Sequence, residues 1–273
     1  MLMKKFAYLD ELEARSIYII REAYYQYRDK LAVLWSMGKD STTMVHLIRK
    51  AFLGKVPLAV VHLDTSYKFS EIYSFRDEYA KRWGLQLIVM RNEQALKAGV
   101  SADKGHLECC TELKTNALKQ CIARYGFQAL LLAIRRDEHA IRAKERIFSP
   151  RGSDFHWDYQ NQPPELWDQY NKTIASDERH FRIHPMLGWT ELDIWRYIQR
   201  EELPVVSLYF SKNGTRYRSI GCEVCCSAVS SQAGSISDII KELETITTPE
   251  RAGRAQDKEQ EYMMQKLRSL GYM

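Results

Sequence analysis

Ser36-Met37-Gly38-Lys39-Asp40-Ser41-Thr42 sits between an apolar run, 31–35, and a helical pattern, 40–52. Backbone N–H groups at such a strand-to-helix turn point outward, and the helix dipole adds positive potential, so an anion fits there. Gly38 permits close approach of a phosphate. Lys39 adds charge, and Ser36, Ser41 and Thr42 add hydroxyl donors. The Walker A order G-x-x-x-x-G-K-[ST] is absent, as is G-x-G-x-x-G. The plain alternative is an ordinary strand–turn–helix with Asp40 as its N-cap.

Three other groups carry chemistry. Asp64 ends a second apolar run, where a carboxylate holds Mg²⁺ or a ribose hydroxyl, or simply caps a turn. "RRDEHAIRAKER" follows a fourth apolar run and packs Arg135, Arg136, Arg142, Lys144 and Arg146 around Asp137 and Glu138. Such cations neutralise charge in phosphoryl transfer, or they form a solvated helix with pairs such as Glu138–Arg142. Arg135, Arg136, Asp137 and Arg142 are the first choices for function. Cys109-Cys110 and the Cys222-x-x-Cys225 pair offer four thiols, with Cys226 beside the second pair as a possible substitute for one of them. Four thiolates suit an iron–sulfur cluster. A Cys₄ zinc site is chemically possible, though an adjacent Cys-Cys pair is atypical for it, and unligated buried thiols are the plain alternative. Cys121 falls on an apolar helix face. His62 and His184 lie in apolar strand contexts and read as core residues.

The elements that must position these groups alternate. Apolar spacing predicts a long helix over 6–29, strands at 31–35, 56–65, 85–90 and 129–134, and helices at 40–52, 69–83 and 111–126, the last ended by Gly126. Short, continuously apolar strands alternating with helices imply a doubly wound, mostly parallel α/β sheet covered on both faces. After about residue 147 the sequence becomes polar, aromatic and proline-bearing, which predicts a long loop. A last strand follows at 181–187, then a helix opened by Thr190 and Asp193 at capping-box spacing and ending before Pro204. Residues 1–200 form the α/β domain, and 201–273 a C-terminal helical and loop extension whose charged tail, from 249, reads as an arm or surface helix.

The bulk numbers agree with a soluble globular chain: 45% hydrophobic, 27% charged and a net charge of +5, too mild to argue for nucleic acid by itself. No run of about 18 apolar residues exists, so no membrane span is expected. The N-terminus does not read as a signal peptide. A cytoplasmic setting follows as an expectation, with the six cysteines reduced and serving metal or catalysis rather than disulfides.

The order S-x-G-K-D-S after a first strand resembles the PP-loop of the ATP pyrophosphatase superfamily, whose fold is adenine nucleotide alpha hydrolase-like. Within it, "EARSIYIIREAYYQ", "WSMGKDSTTMVHLIRKAF", "LKTNALKQ", "RRDEHAIRAKERIFSPRG", "WDYQNQPPELWDQYN", "IHPMLGWTELDIWRYI" and "PERAGRAQDKE" are similar to small subunits of bacterial sulfate adenylyltransferase and, more distantly, to phosphosulfate reductases. The resemblance covers nearly the whole chain. It implies cleavage of ATP between its α and β phosphates, with Mg²⁺. Ser36, Gly38, Lys39, Asp40, Ser41, Thr42 and Asp64 bind ATP, and the arginine cluster faces the phosphates and an oxyanion acceptor. Homo-oligomerisation and a GTPase large subunit are expected, although the chain between Pro204 and Arg216 is short for the usual docking. Cys109, Cys110, Cys222 and Cys225 resemble the [4Fe–4S] ligand set of assimilatory adenylylsulfate reductases, yet no cysteine follows Cys226, which argues against reduction. A second implied function is activation of a nucleic-acid oxygen for sulfur insertion, as in DNA phosphorothioation or RNA thiolation, with a cysteine desulfurase partner. A third, a nucleotide- or redox-sensing module, is disfavoured by the intact loop, Asp64 and arginines.

Overall fold

Leu31–Leu34 is strand β1, and all four of its apolar residues are buried at the middle of a six-stranded sheet. The structure is a computed structural model that describes residues 2–174, 178–251, 266–267 and 269–271. Helix α1 (Leu2–Tyr27) precedes β1, and α2 (Lys39–Ala51), β2 (Ala59–Leu63), α3 (Ser70–Arg82) and β3 (Leu87–Met90) follow. Short helices α4 (Glu93–Lys97) and α5 (His106–Cys110) lead into a π-helical stretch, Thr111–Asn116, and then α6 (Ala117–Tyr125). The rest comprises β4 (Ala129–Leu131), β5 (Phe148–Gly152), β6 (Glu178–Ile183), α7 (Glu191–Arg200), the small pair β7 (Thr215–Arg216) and β8 (Val229–Ser230), and α8 (Ile236–Leu243).

The sheet runs β3-β2-β1-β4-β6-β5. Every pairing is parallel except β5 with β6. Winding therefore proceeds outward from β1 through β2 to β3, then returns to β4 on the other side of β1. Order reverses between β1 and β4, and the crevice beyond the carboxyl ends at such a point is where open α/β sheets bind ligands. The phosphate-loop candidate leaves β1 there, and the arginine cluster leaves β4 there.

The strand and helix expectations hold within a few residues, with instructive exceptions. The loop predicted after residue 147 begins instead with β5, an antiparallel edge strand that tolerates Pro150. Its residues carry no strand period because Phe148, Ser149 and Arg151 are all buried. The helix predicted from 111 is π-wound for its first six residues, an irregularity common at functional sites. Gly126 does terminate α6, at φ 68. Thr190 and Asp193 form the reciprocal cap of α7, the Asp193 N–H donating to Thr190 Oγ1 (3.2 Å) and the Thr190 N–H to Asp193 Oδ2 (2.9 Å).

One hydrophobic core spans the sheet and its covering helices, and it includes Leu203, Val206, Tyr209, Ala233 and Ile239. The region after 201 thus packs on the α/β body over the site. The tail expected to be a surface arm departs from that expectation where it is described: Glu250 and Arg251 are buried. The helix proposed for the stretch beyond lies, over 252–265, outside the described residues.

Candidate active site

A cavity of about 180 Å³ opens at the reversal between β1 and β4. Ser36, Gly38, Lys39, Asp40 and Ser41 line it, together with Lys68, Lys114, Glu138, Arg142, Tyr209, Glu250 and Arg251. The loop and two members of the arginine cluster, Glu138 and Arg142, about a hundred residues apart in sequence, therefore face one space.

The loop's turn is made by an unexpected residue. Met37 adopts φ 60, a left-handed conformation that costs a non-glycine residue roughly 1–3 kcal/mol and persists at functional sites. Gly38 has an ordinary φ of −67 and is the N-cap of α2, so Asp40 lies inside the first turn and does not cap it. A Cβ on Gly38 would meet Ser36 Oγ at 3.4 Å and the Tyr209 hydroxyl at 3.5 Å. These are ordinary contact distances, so space alone does not require glycine at this position. Ser41 folds back on the loop, its Oγ accepting from the Ser36 N–H (3.2 Å) and donating to the Gly38 carbonyl (3.1 Å). The first helical amide, Lys39 N–H, donates to the Tyr209 hydroxyl (2.8 Å). Thr42 is not among the cavity-lining residues, and its Oγ1 accepts from the Trp35 indole (3.2 Å).

Charge is concentrated around Lys39, whose side chain is 1% exposed. Its ammonium lies 3.2 Å from Asp40 and pairs with Glu250. Arg135, fully buried, contacts Asp40, Asp137 (2.9 Å) and Glu250. Burial alone would lower the Arg135 guanidinium's pKa, but Glu250, Glu138 and Asp137 outweigh it and raise it. Burial alone would raise the Glu250 carboxyl, but Lys39 and Arg135 hold it down to about 2. Glu138 is likewise held low, because Arg142 and Arg135 overcome its desolvation.

These pairings predict a pH dependence. Glu250 has an ordinary value of 4.5 and is held at about 2 in the fold. Its pairing therefore stabilises the protein fully above pH 4.5, and that contribution is lost as pH falls through 2. Urea midpoints measured from pH 6 down to pH 2 should fall with acidification, and the fall should be smaller in Glu250→Gln.

The remaining predicted residues separate. Arg142 is buried in the cavity wall and donates to Glu138, so the i,i+4 pair exists but lies inside the site. Arg136 is exposed, its charged surroundings are Glu165, Arg15 and Arg146, and it does not line the cavity. Asp137 supports the site from behind: one oxygen accepts from Arg135 Nε and the other from the Glu191 N–H at the start of α7 (2.7 Å). Asp64 is buried, but its carboxylate is committed to the Ser66 N–H (2.9 Å), the Tyr73 hydroxyl (2.9 Å) and Arg91 (2.8 Å), and it is not among the cavity-lining residues. His62 and His184 are core histidines, facing the Trp35 carbonyl (3.1 Å) and the Arg146 carbonyl (2.7 Å). His62 also lines the cavity, where burial and Lys68 lower its pKa to about 4 and keep it neutral at pH 7.

Sequence reasoning missed Lys68, Lys114, Tyr209 and Glu250. Lys114 sits inside the π-helical stretch, where the altered winding puts it against both the cavity and Cys110 Sγ (3.7 Å). Its only sequence signal was its place in "LKTNALKQ". Glu250 was hidden in a tail read as solvated.

Of the four predicted cysteines, Cys222 and Cys225 are hydrogen-bonded to each other, and Cys109 and Cys110 lie close enough to that pair to act on its charge. Cys109, Cys110, Cys222 and Cys225 are all buried. Cys222 is hydrogen-bonded to Cys225, which lowers it, while the same bond and burial raise Cys225. Burial, then Cys110 and Cys222, push Cys109 up to about 11. Thr65 Oγ1 lies 3.2 Å from Cys222 Sγ, and the Glu223 N–H donates to the Tyr67 carbonyl (2.8 Å), so the exit of β2 holds the C-x-x-C. Among the described residues no group of three or more His, Cys, Asp or Glu side chains is arranged to hold a metal ion, so the predicted four-cysteine site is not seen as a metal site. Cys226 is half-buried and accepts from the Gly221 N–H (3.1 Å).

Comparison with known proteins follows this geometry. The phosphoadenosine phosphosulfate reductase domain model matches residues 30–228. The chain is 40% identical over 299 aligned positions to sulfate adenylyltransferase subunit 2 of Saccharophagus degradans, covering 98% of each chain. Its fold is similar to that of yeast FAD synthetase (TM-score 0.57, 15% identity, 92% of this chain and 91% of that one). It is also similar to a phosphoadenylyl-sulfate reductase of Candida auris (TM-score 0.55, 15% identity, 80% and 96%).

Proposed function

The chain belongs to the phosphoadenosine phosphosulfate reductase domain family, among the relatives named sulfate adenylyltransferase subunit 2, and on that premise we propose that it transfers AMP from ATP to sulfate. The observation that carries this reading is the meeting of the Ser36–Ser41 loop with Arg142 in one cavity at the sheet's reversal point, with buried Arg135 directly behind two of its wall residues, Asp40 and Glu250. A sulfate oxygen attacks the α-phosphorus in line, the bond from the α-phosphorus to the bridging oxygen breaks, and pyrophosphate leaves with that oxygen's electron pair. Lys39 and Arg135 hold the departing pyrophosphate, with Ser36 and Ser41 as neutral donors. Arg142 faces the acceptor end. The acceptor is already an anion, so no general base is required, and neutral His62 fits that absence. Asp40, at the cavity wall, would hold Mg²⁺ together with the phosphates, supplying charge neutralisation when bound.

A large subunit is the expected partner, since the relatives are numbered as second subunits. Formation of adenylylsulfate is uphill, which is why coupling to a GTPase is part of the proposal. The test is pyrophosphate release from ATP by anaerobically purified protein, with and without sulfate and the large subunit. Adenylylsulfate appearing only with sulfate supports the reading. Sulfate-independent release would sink it and turn attention to a nucleic-acid acceptor.

Cys109, Cys110, Cys222 and Cys225 would hold a [4Fe–4S] cluster. What supports this reading is that all four thiols are buried and that the Cys109–Cys110 pair lies close enough to Cys222 and Cys225 to act on their charge. The cluster's chemistry here is structural, tying α5 to the 222–225 turn beside the cavity. Anaerobic protein should contain iron and acid-labile sulfide in equal amounts, and Cys222→Ser should lose both. A wild-type protein free of iron would remove this part.

A further inference from the structure

Glu250 is 211 residues from Lys39 in sequence, yet its two carboxylate oxygens divide between Lys39 and Arg135. These are the two cations to which the proposed reaction assigns pyrophosphate. The Glu250 side chain is 4% exposed, so little water screens it from whatever else enters. A carboxylate and a phosphate competing for the same two donors in so dry a space repel each other strongly. The cavity agrees. At about 180 Å³ it falls below the roughly 300 Å³ at which small-molecule sites begin, and Glu250 and Arg251 form part of its wall.

The segment that delivers Glu250 runs over the surface. Residues 244–249 are exposed, and Glu250 and Arg251, the next described residues, turn inward. An outer anchor is the Thr248 carbonyl, which accepts from Arg218 Nη1 (2.7 Å), and Arg218 is itself held by Glu191 (2.7 Å) at the start of α7. Exposed backbone with a buried charged tooth opens more cheaply than the core beneath it.

We propose that Glu250 is an internal competitor for the pyrophosphate subsite. In the free chain it neutralises Lys39 and Arg135 in place of phosphate. When the phosphates of ATP arrive, the strap Thr248–Arg251 withdraws. Glu250 thereby sets how tightly ATP and pyrophosphate bind, because ligand affinity is reduced by the fraction of chains whose subsite is open. The inference rests on the assignment of Lys39 and Arg135 to pyrophosphate.

Calorimetric titration of inorganic pyrophosphate with Mg²⁺ into the full chain tests it. Glu250→Gln, which keeps the shape and removes the charge, should bind about tenfold more tightly than wild type, and Lys39→Ala should bind far more weakly. Amide hydrogen exchange over 246–251 should accelerate in wild type when pyrophosphate binds, a readout that needs no variant to fold. Equal or weaker binding by Glu250→Gln, or exchange that slows or does not change, overturns the competitor role while the loop assignment survives through Lys39→Ala. If Lys39→Ala binds as wild type does, the loop assignment itself fails, and the inference with it.

Discussion

Lys39→Ala should lower sulfate-dependent pyrophosphate release by about 10²–10³-fold, the usual cost of removing one preorganised donor from developing charge. The side chain is buried at the first turn of α2, with its ammonium against Asp40 and Glu250 and 6.0 Å from the centre of the Tyr209 ring. Its position is thus fixed before ATP arrives. Lys39→Arg should rescue little, since a planar guanidinium does not fit the place of a compact ammonium in so closed a space. Stability should suffer less than activity, because Glu250 keeps Arg135 as a partner. Steady-state pyrophosphate assays beside urea unfolding separate the two effects. Turnover within a few-fold of wild type would remove the loop from the reaction.

The sequence made this loop legible because its cues are local. One glycine, a lysine and hydroxyls stand between a strand and a helix, and the turn they form lines the cavity as its place at a strand's carboxyl end implies. The doubly wound sheet was legible for the same reason: four continuous apolar runs, the first three separated from the next by a helix, leave few other arrangements. What could not be read was long-range or irregular. The edge strand β5 buries Ser149 and Arg151, so neither polarity nor period marked it. The left-handed turn falls on Met37 rather than Gly38, because the surrounding packing, not residue preference, decides it. Lys114 depends on π-winding that no spacing rule anticipates. Glu250 lies in a segment whose composition is that of a solvated arm, and only the charge of Lys39 and Arg135 draws it inward. Asp64 had the right address at a strand end, yet Arg91 and Tyr73 claim its carboxylate.

Arg135 and Arg136 were indistinguishable in sequence, and their substitution should divide them. Arg135 is fully buried and contacts Asp40, Asp137 and Glu250, with Glu138 accepting from its backbone N–H (3.1 Å). Replacing it by alanine leaves several carboxylates facing one another with Lys39, Arg142 and Arg251 as remaining cations. Removing one partner of a buried charge group costs about 3–5 kcal/mol, a large part of the 5–15 kcal/mol typical of a domain. Arg135→Ala should therefore lower the urea midpoint sharply and abolish turnover in whatever folded protein remains. Lowering the pH should partly restore its stability, because protonation relieves the unpaired carboxylates, the reverse of the wild-type trend. Arg136 lies outside the cavity and is exposed, so Arg136→Ala should stay within about 0.5 kcal/mol of wild type and keep its turnover. Equal losses in the two variants would mean that the adjacent arginines act as one surface patch. A stable, active Arg135→Ala would mean that the buried charge network is dispensable, and that the loop alone holds the leaving group.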